Sequence, residues 1–577
     1  MPRNPLKQHA IANAKKILAK PVAELLCVHP ENVLWFAIKS DDTLGDVFVA
    51  LMDAPRQPEG IGQVMNGRMK IPWGLRAAAG LAAAMITLWP AAAWAQSTSL
   101  DAAPSIRETP SIHEPSFVPT LWSAAPFVLL LLAIACLPLV KRCHRFWDSN
   151  RNKLLVAIAL SVPVLLYYYF SHPAMVVHEA GRALTLEPGA PVLQHVLSAS
   201  LAEAFIPFIV LLFSLYTISG GIHLQGDLRG RPTTNTGLLA VGTVLASLVG
   251  TTGAAMLLIR PLLHANAHRR HVRHTVIFFI FLVCNIGGCL LPTGDPPLFL
   301  GYLAGVPFLW TLSLTPEWAL CSGILLAIYY AWDVAAYRKE SPPDLAESDV
   351  IRKPLRVRGW INAAYLVGVV LGVAVLVPDE PFILNPSWTI PPHVREAVLL
   401  GLAGLSLLTT PRGVRAAHHF TFGPIAEVAA LFLGIFITMQ APIEILRACG
   451  PSLGLTEPWQ FFWVTGGLSS FLDNAPTYAV FFETARSLPY GAGAGVVDLA
   501  GGDAIRADLL RAVSLGAVFM GANTYIGNGP NFMVRAIAQH RGIRMPSFFG
   551  YMLYSVGILI PVFLAMTFVL FVWKWLG

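Results

Sequence analysis

Apolar residues in this chain do not alternate with polar ones at the period of a half-buried strand. They come in long runs of about 20 residues, the length a helix needs to cross a bilayer core. The runs fall at 122–140, 154–171, 195–219, 235–263, 275–313 and 317–337, then at 360–377, 394–410, 424–446, 459–485, 508–538 and 548–573. The pattern predicts an all-α polytopic membrane protein. Four of the runs are interrupted by residues that a lipid-facing helix does not carry: Gly250-Thr251-Thr252-Gly253, Pro292-Thr293-Gly294-Asp295-Pro296-Pro297, Asp473-Asn474-Ala475-Pro476, and the stretch holding Asn523, Thr524, Asn528, Pro530 and Asn531. Proline breaks the helix and unwound backbone is tolerated at membrane depth only around a cavity, so these interruptions mark a path for an ion or a substrate.

Charge placement orients the runs. Arg145, Arg151 and Lys153 follow the first run, and Arg338, Lys339, Arg356 and Arg358 follow the sixth, which puts both loops in the cytoplasm by the positive-inside rule. The run at 235–263 has basic flanks on both sides, Arg229 and Arg231 before it and Arg269, Arg270 and Arg273 after it. One crossing would leave positive loops on opposite faces, so a re-entrant hairpin from the cytoplasmic side is predicted, with its polar tip in the membrane. The run at 459–485 lacks basic flanks and is predicted to enter from outside. The runs at 275–313 and 508–538 are read as discontinuous helices.

Composition agrees, with 55% hydrophobic and 13% charged residues. The net charge of +7 gathers in the inner loops, and no basic stripe with interleaved aromatics points to nucleic acid. The seven cysteines show no CxxC spacing and are expected to be packing residues. His264, His268, His271 and His274 sit at near-helical spacing, but the loop is read as a solvated basic one and not as a metal site. His178-Glu179 does not begin an HExxH motif because position 182 is Arg. Before the first run, Arg68, Lys70 and Arg76, the apolar stretch 77–94 and Ala93-Trp94-Ala95 make 65–95 a signal-peptide-like segment. That leaves 1–64 as a doubtful extension, with a start at Met65 or Met69 expected, and 96–120 as an outer linker rich in Pro and Ser.

Sliding the chain on itself by about 223 residues brings Ala202-Glu203 onto Ala426-Glu427 and Ala246-Ser247-Leu248-Val249-Gly250-Thr251 onto Ser469-Ser470-Phe471-Leu472-Asp473-Asn474. With about ten more residues allowed, Gly294-Asp295-Pro296-Pro297 meets Gly527-Asn528-Gly529-Pro530. The organisation predicted is a first repeat at 121–337, a cytoplasmic basic linker at 338–359 and a second repeat at 360–577. Each repeat holds five crossings, one re-entrant hairpin and one discontinuous helix, and the odd crossing number inverts the second copy. Inverted repeats with broken helices are the plan of many secondary transporters. Unwound carbonyls and the oxygens of Thr251, Thr252, Thr293, Asp473, Asn474 and Asn523 suit a hard cation such as sodium, and half-helix N-termini suit an anion. Glu203 and Glu427 are candidate proton carriers, with a structural role as the competing reading.

Asn285-Ile286-Gly287-Gly288, Thr293-Gly294-Asp295-Pro296-Pro297 and Phe471-Leu472-Asp473-Asn474-Ala475-Pro476-Thr477 resemble motifs of the ion transporter superfamily, in particular citrate transporters, NhaD-type sodium/proton antiporters and arsenite permeases. The resemblance covers residues 120–577. It implies ion and substrate sites at the hairpin tips and broken helices, here Gly250, Thr251, Thr252, Asn285, Thr293, Asp295, Asp473, Asn474, Thr477, Asn523, Thr524, Asn528 and Asn531, and a scaffold that commonly dimerises. The chain departs from many antiporter relatives at Gly250-Thr251, where they look to carry an Asp-Asn pair. The expected function is an ion-coupled secondary transporter in a bacterial inner membrane, its mature N-terminus outside, coupled to sodium or protons, with no cofactor beyond the coupling ion and with transient sodium at Asp473 and Asn474. A citrate carrier and a sodium/proton antiporter both remain open, as do an arsenite or other anion permease and an ion channel. No HExxH or GxSxG constellation supports an intramembrane enzyme.

Overall fold

The computed structural model describes residues 117–138, 140, 143–179, 182–342, 354, 356–382, 385–411, 413–417, 420–490, 495–500 and 502–569. The expectations for 1–64, for 65–95, for most of the outer linker and for the middle of the basic linker lie outside the described residues.

The apolar runs become helices. In the first half these are α1 (Ala125–Cys136), α2 (Asn150–Phe170) and α3 (Ala190–Ser219), the last passing through a π-helical stretch at Ser198–Phe205. Next come α4 (Pro232–Val249) and α5 (Thr251–Ala265), then α6 (Arg273–Leu282), α7 (Pro296–Leu303) and α8 (Thr315–Tyr337). The second half follows the same order with α9 (Ile361–Val375), α10 (Val394–Thr409), α11 (Gly423–Thr438) and a short α12 (Gln440–Cys449). It closes with α13 (Pro458–Ser469), α14 (Asn474–Arg486), α15 (Ala507–Met520), α16 (Gly529–His540) and α17 (Phe548–Thr567). Among the described residues six helices are long and apolar enough to cross a membrane, and α11 with the helix after it, bent by 43°, makes a seventh. The chain is therefore an all-α polytopic membrane protein. The strands form only two-stranded antiparallel ribbons in the connections, such as Met175–Glu179 with Arg182–Leu186 in the segment 172–194 that the sequence presented as a plain loop.

The two halves pack reciprocally. The second helix of the first half, α2, lies against α11, the third of the second half, and α10 lies in the same way against α3. Helix α1 touches α11 as α9 touches α3. The pairing recurs deeper in: α5 packs on α16, and α14 packs on α7. The seam between α3 and α11 is aromatic, with Phe208 stacked on Phe432 at 4.6 Å between centroids. Helix α6 is buried at every position from His274 to Leu282. A helix apolar all round belongs in the core, and α6 is the pillar against which α4 and α8 lie.

Two basic segments that the sequence presented as solvated loops are partly internal. Arg269 donates to Asp333 from both terminal nitrogens, Nη2 to Oδ1 at 2.6 Å and Nη1 to Oδ2 at 3.2 Å. His274 lies 2.9 Å from the same carboxylate, and Asn235 donates to it at 3.0 Å. The cluster ties the base of α4 to α6 and α8. Lys153 is likewise buried and pairs with Glu427 at 2.6 Å, linking α2 to α11. In each case a cation beside a membrane end found an acid on a helix distant in sequence, where pairing offsets the cost of burial. Of the cysteines, Cys284, Cys289 and Cys321 are buried and unbridged.

Beyond the end of α2, His172 contacts Glu444 of α12 through Nε2 at 3.2 Å and the Pro173 carbonyl through Nδ1 at 2.9 Å. Burial lowers the imidazole pKa, but the hydrogen bond and charge of Glu444, with the Pro173 carbonyl, outweigh it and raise the value above the usual 6.5. A raised folded value means that this contact stabilises the fold fully below the unfolded pKa, and that the contribution is lost as pH rises through the folded one.

Two outcomes are expected. Asp333→Ala leaves buried Arg269 with only the 3.9 Å contact to Glu340 as an ion pair and should cost about 3 kcal/mol, measured as a fall in unfolding midpoint in detergent. The stability gap between the wild type and His172→Gln should be full below the unfolded imidazole value of about 6.5 and shrink as the pH rises through the raised folded one, measured by thermal scans of both proteins across a pH series.

Candidate functional site

Helix α4 ends because Gly250 takes a left-handed φ of 80°, which a residue with a Cβ rarely adopts, and the chain doubles back into α5 packed alongside. The first amide of the returning helix, Thr251 N–H, donates to the Gly294 carbonyl at 2.9 Å. In the second half α13 runs out at Ser469, and α14 starts after Asp473. That side chain caps the new helix by accepting from Ala475 N–H at 3.2 Å. Helices α13 and α14 also pack side by side. Both interruptions are thus helix–turn–helix hairpins, and α4 is itself long and apolar enough to cross a membrane.

The broken helices are built alike. After α6 the chain makes a 3₁₀ turn at Ile286–Leu290, turns again at 292–294, where Gly294 N–H donates to the Leu291 carbonyl, and restarts as α7 with Asp295 at the N-cap and prolines at the first two positions. After α15 a 3₁₀ turn at Gly521–Asn523 precedes α16, with Asn528 at the N-cap. Glycines close both breaks. A Cβ on Gly294 would lie 2.4 Å from the Gly288 carbonyl oxygen, and one on Gly527 would lie 2.6 Å from the Gly521 oxygen.

The four interruptions meet at one carboxylate. Asp295 Oδ1 accepts from Thr251 Oγ1 at 3.0 Å and from Asn528 Nδ2 at 3.2 Å, while Oδ2 accepts from Asn474 Nδ2 at 2.6 Å. Its donors thus come from the first hairpin tip, the second broken helix and the second hairpin tip. Asn531 adds a second tie between the broken helices, since Asn285 Nδ2 donates to its Oδ1 at 2.8 Å and its own Nδ2 donates to the carbonyls of Gly521 and Thr524.

Beside this junction lies a cavity of about 100 Å³, lined by Gly250, Thr251, Thr252, Thr293, Asp295, Asp473 and Asn528, with Phe208, Phe299 and Phe432 on its apolar side. That volume holds several waters or a partly hydrated ion. The first residues of α5, α7 and α16 and the N-cap of α14 all lie on its wall. Four helix N-termini therefore face one space, each with partial positive charge, and two carboxylates stand among them. Asn285 Oδ1, Asn474 Oδ1 and Asn523 Oδ1 are buried without a hydrogen-bond partner, but none of these three residues lies on the cavity wall.

Most of the residues expected from the sequence are brought together here. Thr477 donates to the Asp473 carbonyl, Thr524 to the Ser470 carbonyl and Thr293 to the Ser247 carbonyl, so these three hydroxyls hold backbone. Glu203 and Glu427 stand apart. Glu427 pairs with Lys153, and Glu203 lies in the π-helical stretch of α3 beside a separate cavity of about 180 Å³ with Tyr478 and Glu483. Arg260 is not on the wall of the central cavity. The four histidines of the α5–α6 region do not converge: His264 faces Asp227, His271 faces Glu340 and His274 faces Asp333.

Two supporting residues were not singled out by the sequence. Ser247 Oγ donates to the Gly287 carbonyl at 2.5 Å, and Ser470 Oγ donates to the Met520 carbonyl at 3.1 Å. Each pins a hairpin to the break of its own repeat. Their signal was available, because both are Ser at the same place in the two copies.

Comparison with known proteins gives one result. A family model described as "Putative citrate transport" matches residues 117–571, which includes every element above. A search of the curated proteins returned no match.

Because the obstructing atoms are backbone, Gly294→Ala and Gly527→Ala should each lower stability by about 2–3 kcal/mol, at the upper end of ordinary overpacking. Gly467→Ala, with nothing within 4 Å of its Cβ, should be neutral. Unfolding midpoints of the three purified variants check this.

Proposed function

The chain belongs to this citrate-transport family, and from that premise we propose that it is an ion-coupled secondary transporter of a citrate-like organic anion, working by alternating access. The observation that carries the reading is the convergence of four helix N-termini and two carboxylates on one small cavity. Helix N-termini attract the carboxylates of the cargo. Asp295 and Asp473 repel them. The two demands are reconciled when a cation enters with the anion, so that affinity for each depends on the presence of the other. Sodium suits the donor set best, because the wall offers hard oxygen groups on Thr251, Thr252, Asp295 and Asp473. A proton on an acid at the cavity would serve the same electrostatic purpose.

Alternating access is read from the repeat. Two copies that pack reciprocally, one inverted against the other in the membrane, supply two equivalent half-paths to the site. One opens as the other closes. The hydrogen bonds of Asp295 to the second half are the contacts such a motion has to keep or trade.

The test is uptake of labelled citrate by proteoliposomes under an imposed inward gradient of sodium or of protons. Citrate accumulation that collapses without the gradient is the expected result. Asp473→Asn removes a charged cation ligand, roughly 2–3 kcal/mol, and should slow uptake about thirtyfold or more at low sodium while the protein still inserts. A sodium-driven change of internal pH with no citrate present and no citrate uptake would instead identify the cation as the cargo.

A further inference from the structure

A second cavity is larger than the central one. It has a volume of about 720 Å³ and lies where the α5–α6 connection, the C-terminal end of α8 and the loop from α16 to α17 come together. Arg270, Arg273, Lys339, Arg541 and Arg544 line it, and none of its lining residues is acidic. The acids of the neighbourhood lie behind the wall. Asp333 is held by Arg269 and His274, and Glu340 accepts from the backbone amides of Arg270 and His271 at 2.7–3.1 Å. Glu340 thereby fixes the loop that carries the cations. Arg273 Nε donates to the Arg544 carbonyl at 2.8 Å, which stitches the two basic loops into one surface.

One wall of this cavity is aromatic. Trp332 stacks on His274 and on Tyr554, and it is 39% exposed. Further out, Tyr330, Phe549 and Leu553 are exposed, the last two 75% each. Large apolar side chains that far out of the core on membrane helices face acyl chains, and Trp and Tyr beside them mark the headgroup level. The cavity is therefore a basic recess beside a lipid-facing surface, large enough for a headgroup.

We propose that this recess is a binding site for an anionic glycerophospholipid, its phosphate and neighbouring headgroup oxygens held by Arg273, Lys339, Arg541 and Arg544 and its chains lying along Phe549 and Leu553. Charge complementarity selects the phosphate, and the adjoining apolar face selects a lipid over a soluble phosphate. The site has a route to the centre. Helix α5 runs from Thr251 to this recess and α16 from Asn528 to Arg541, so a bound lipid grips the far ends of two elements that meet at Asp295, while α6 runs from the recess toward Asn285, which bonds to Asn531 of α16.

The full-length protein, purified in a neutral detergent and delipidated, is titrated with phosphatidylglycerol, phosphatidylcholine or inorganic phosphate. Thermal midpoint and bound lipid counted by native mass spectrometry are both read. A saturable rise in midpoint and a retained lipid are expected with phosphatidylglycerol alone. The double variant Arg541→Ala/Arg544→Ala alters two exposed side chains and should bind it about tenfold to thirtyfold more weakly. The double variant Arg356→Ala/Arg358→Ala, which removes inner-face cations outside the recess, should bind like the wild type. Equal loss in both variants would reduce the effect to general surface charge and overturn the site. Undiminished binding by Arg541→Ala/Arg544→Ala would overturn it as well. Stabilisation by inorganic phosphate matching that by the lipid would overturn the lipid assignment.

Discussion

The architecture turns on one carboxylate. Asp295 accepts hydrogen bonds from Thr251, Asn474 and Asn528, and with its own position at the start of α7 it joins both hairpins and both broken helices. A buried carboxylate is tolerated only when its lone pairs are met. Here they are met by groups that could not otherwise be held together, since each sits at a chain interruption with few regular backbone bonds. The acid organises the interruptions, and the interruptions make the acid tenable.

The two tips are unequal in charge because the charge is shared out differently in each repeat. In the first, the hairpin tip Gly250-Thr251 is neutral and the broken helix carries Asp295. In the second, the tip carries Asp473 and the broken helix has the neutral Asn528 in the matching place. Each copy contributes one acid, but the two acids do different work. Asp295 is met by side-chain donors from its own hairpin tip and from the second repeat, whereas Asp473 caps its own helix and lines the cavity. A symmetric fold thus yields an asymmetric site.

Much of this was legible in the sequence. Breaks in transmembrane helices need glycine, proline and small polar residues, and such residues stand out against apolar runs, so hairpins and broken helices could be located almost to the residue. Partnerships could not. Nothing local distinguishes Asp295, which ties the halves together, from Asp473, and the Asn474 that meets it is remote in the chain. The same blindness made Arg269 and Lys153 look like ordinary loop cations. A hint lay in Asp333, one of two acids, with Glu317, in the apolar run of α8, whose burial demands a cation from somewhere. Ser247 and Ser470 were hidden for a different reason, because serine is common in membrane helices and only their equivalence in the two copies sets them apart.

The crossed packing of the outer helices bears on how the chain is made. Helix α3 finds its neighbours α9 and α10 only in the second half, and α11 finds α1 and α2 only in the first. While the ribosome is still translating the second half, the first cannot complete its own scaffold, and Phe208 and its surroundings remain open to lipid until α11 arrives. The contacts between α11 and the first half therefore form only once α11 has been made. A truncated nascent chain would present the insertion and quality-control machinery with an unfilled aromatic seam.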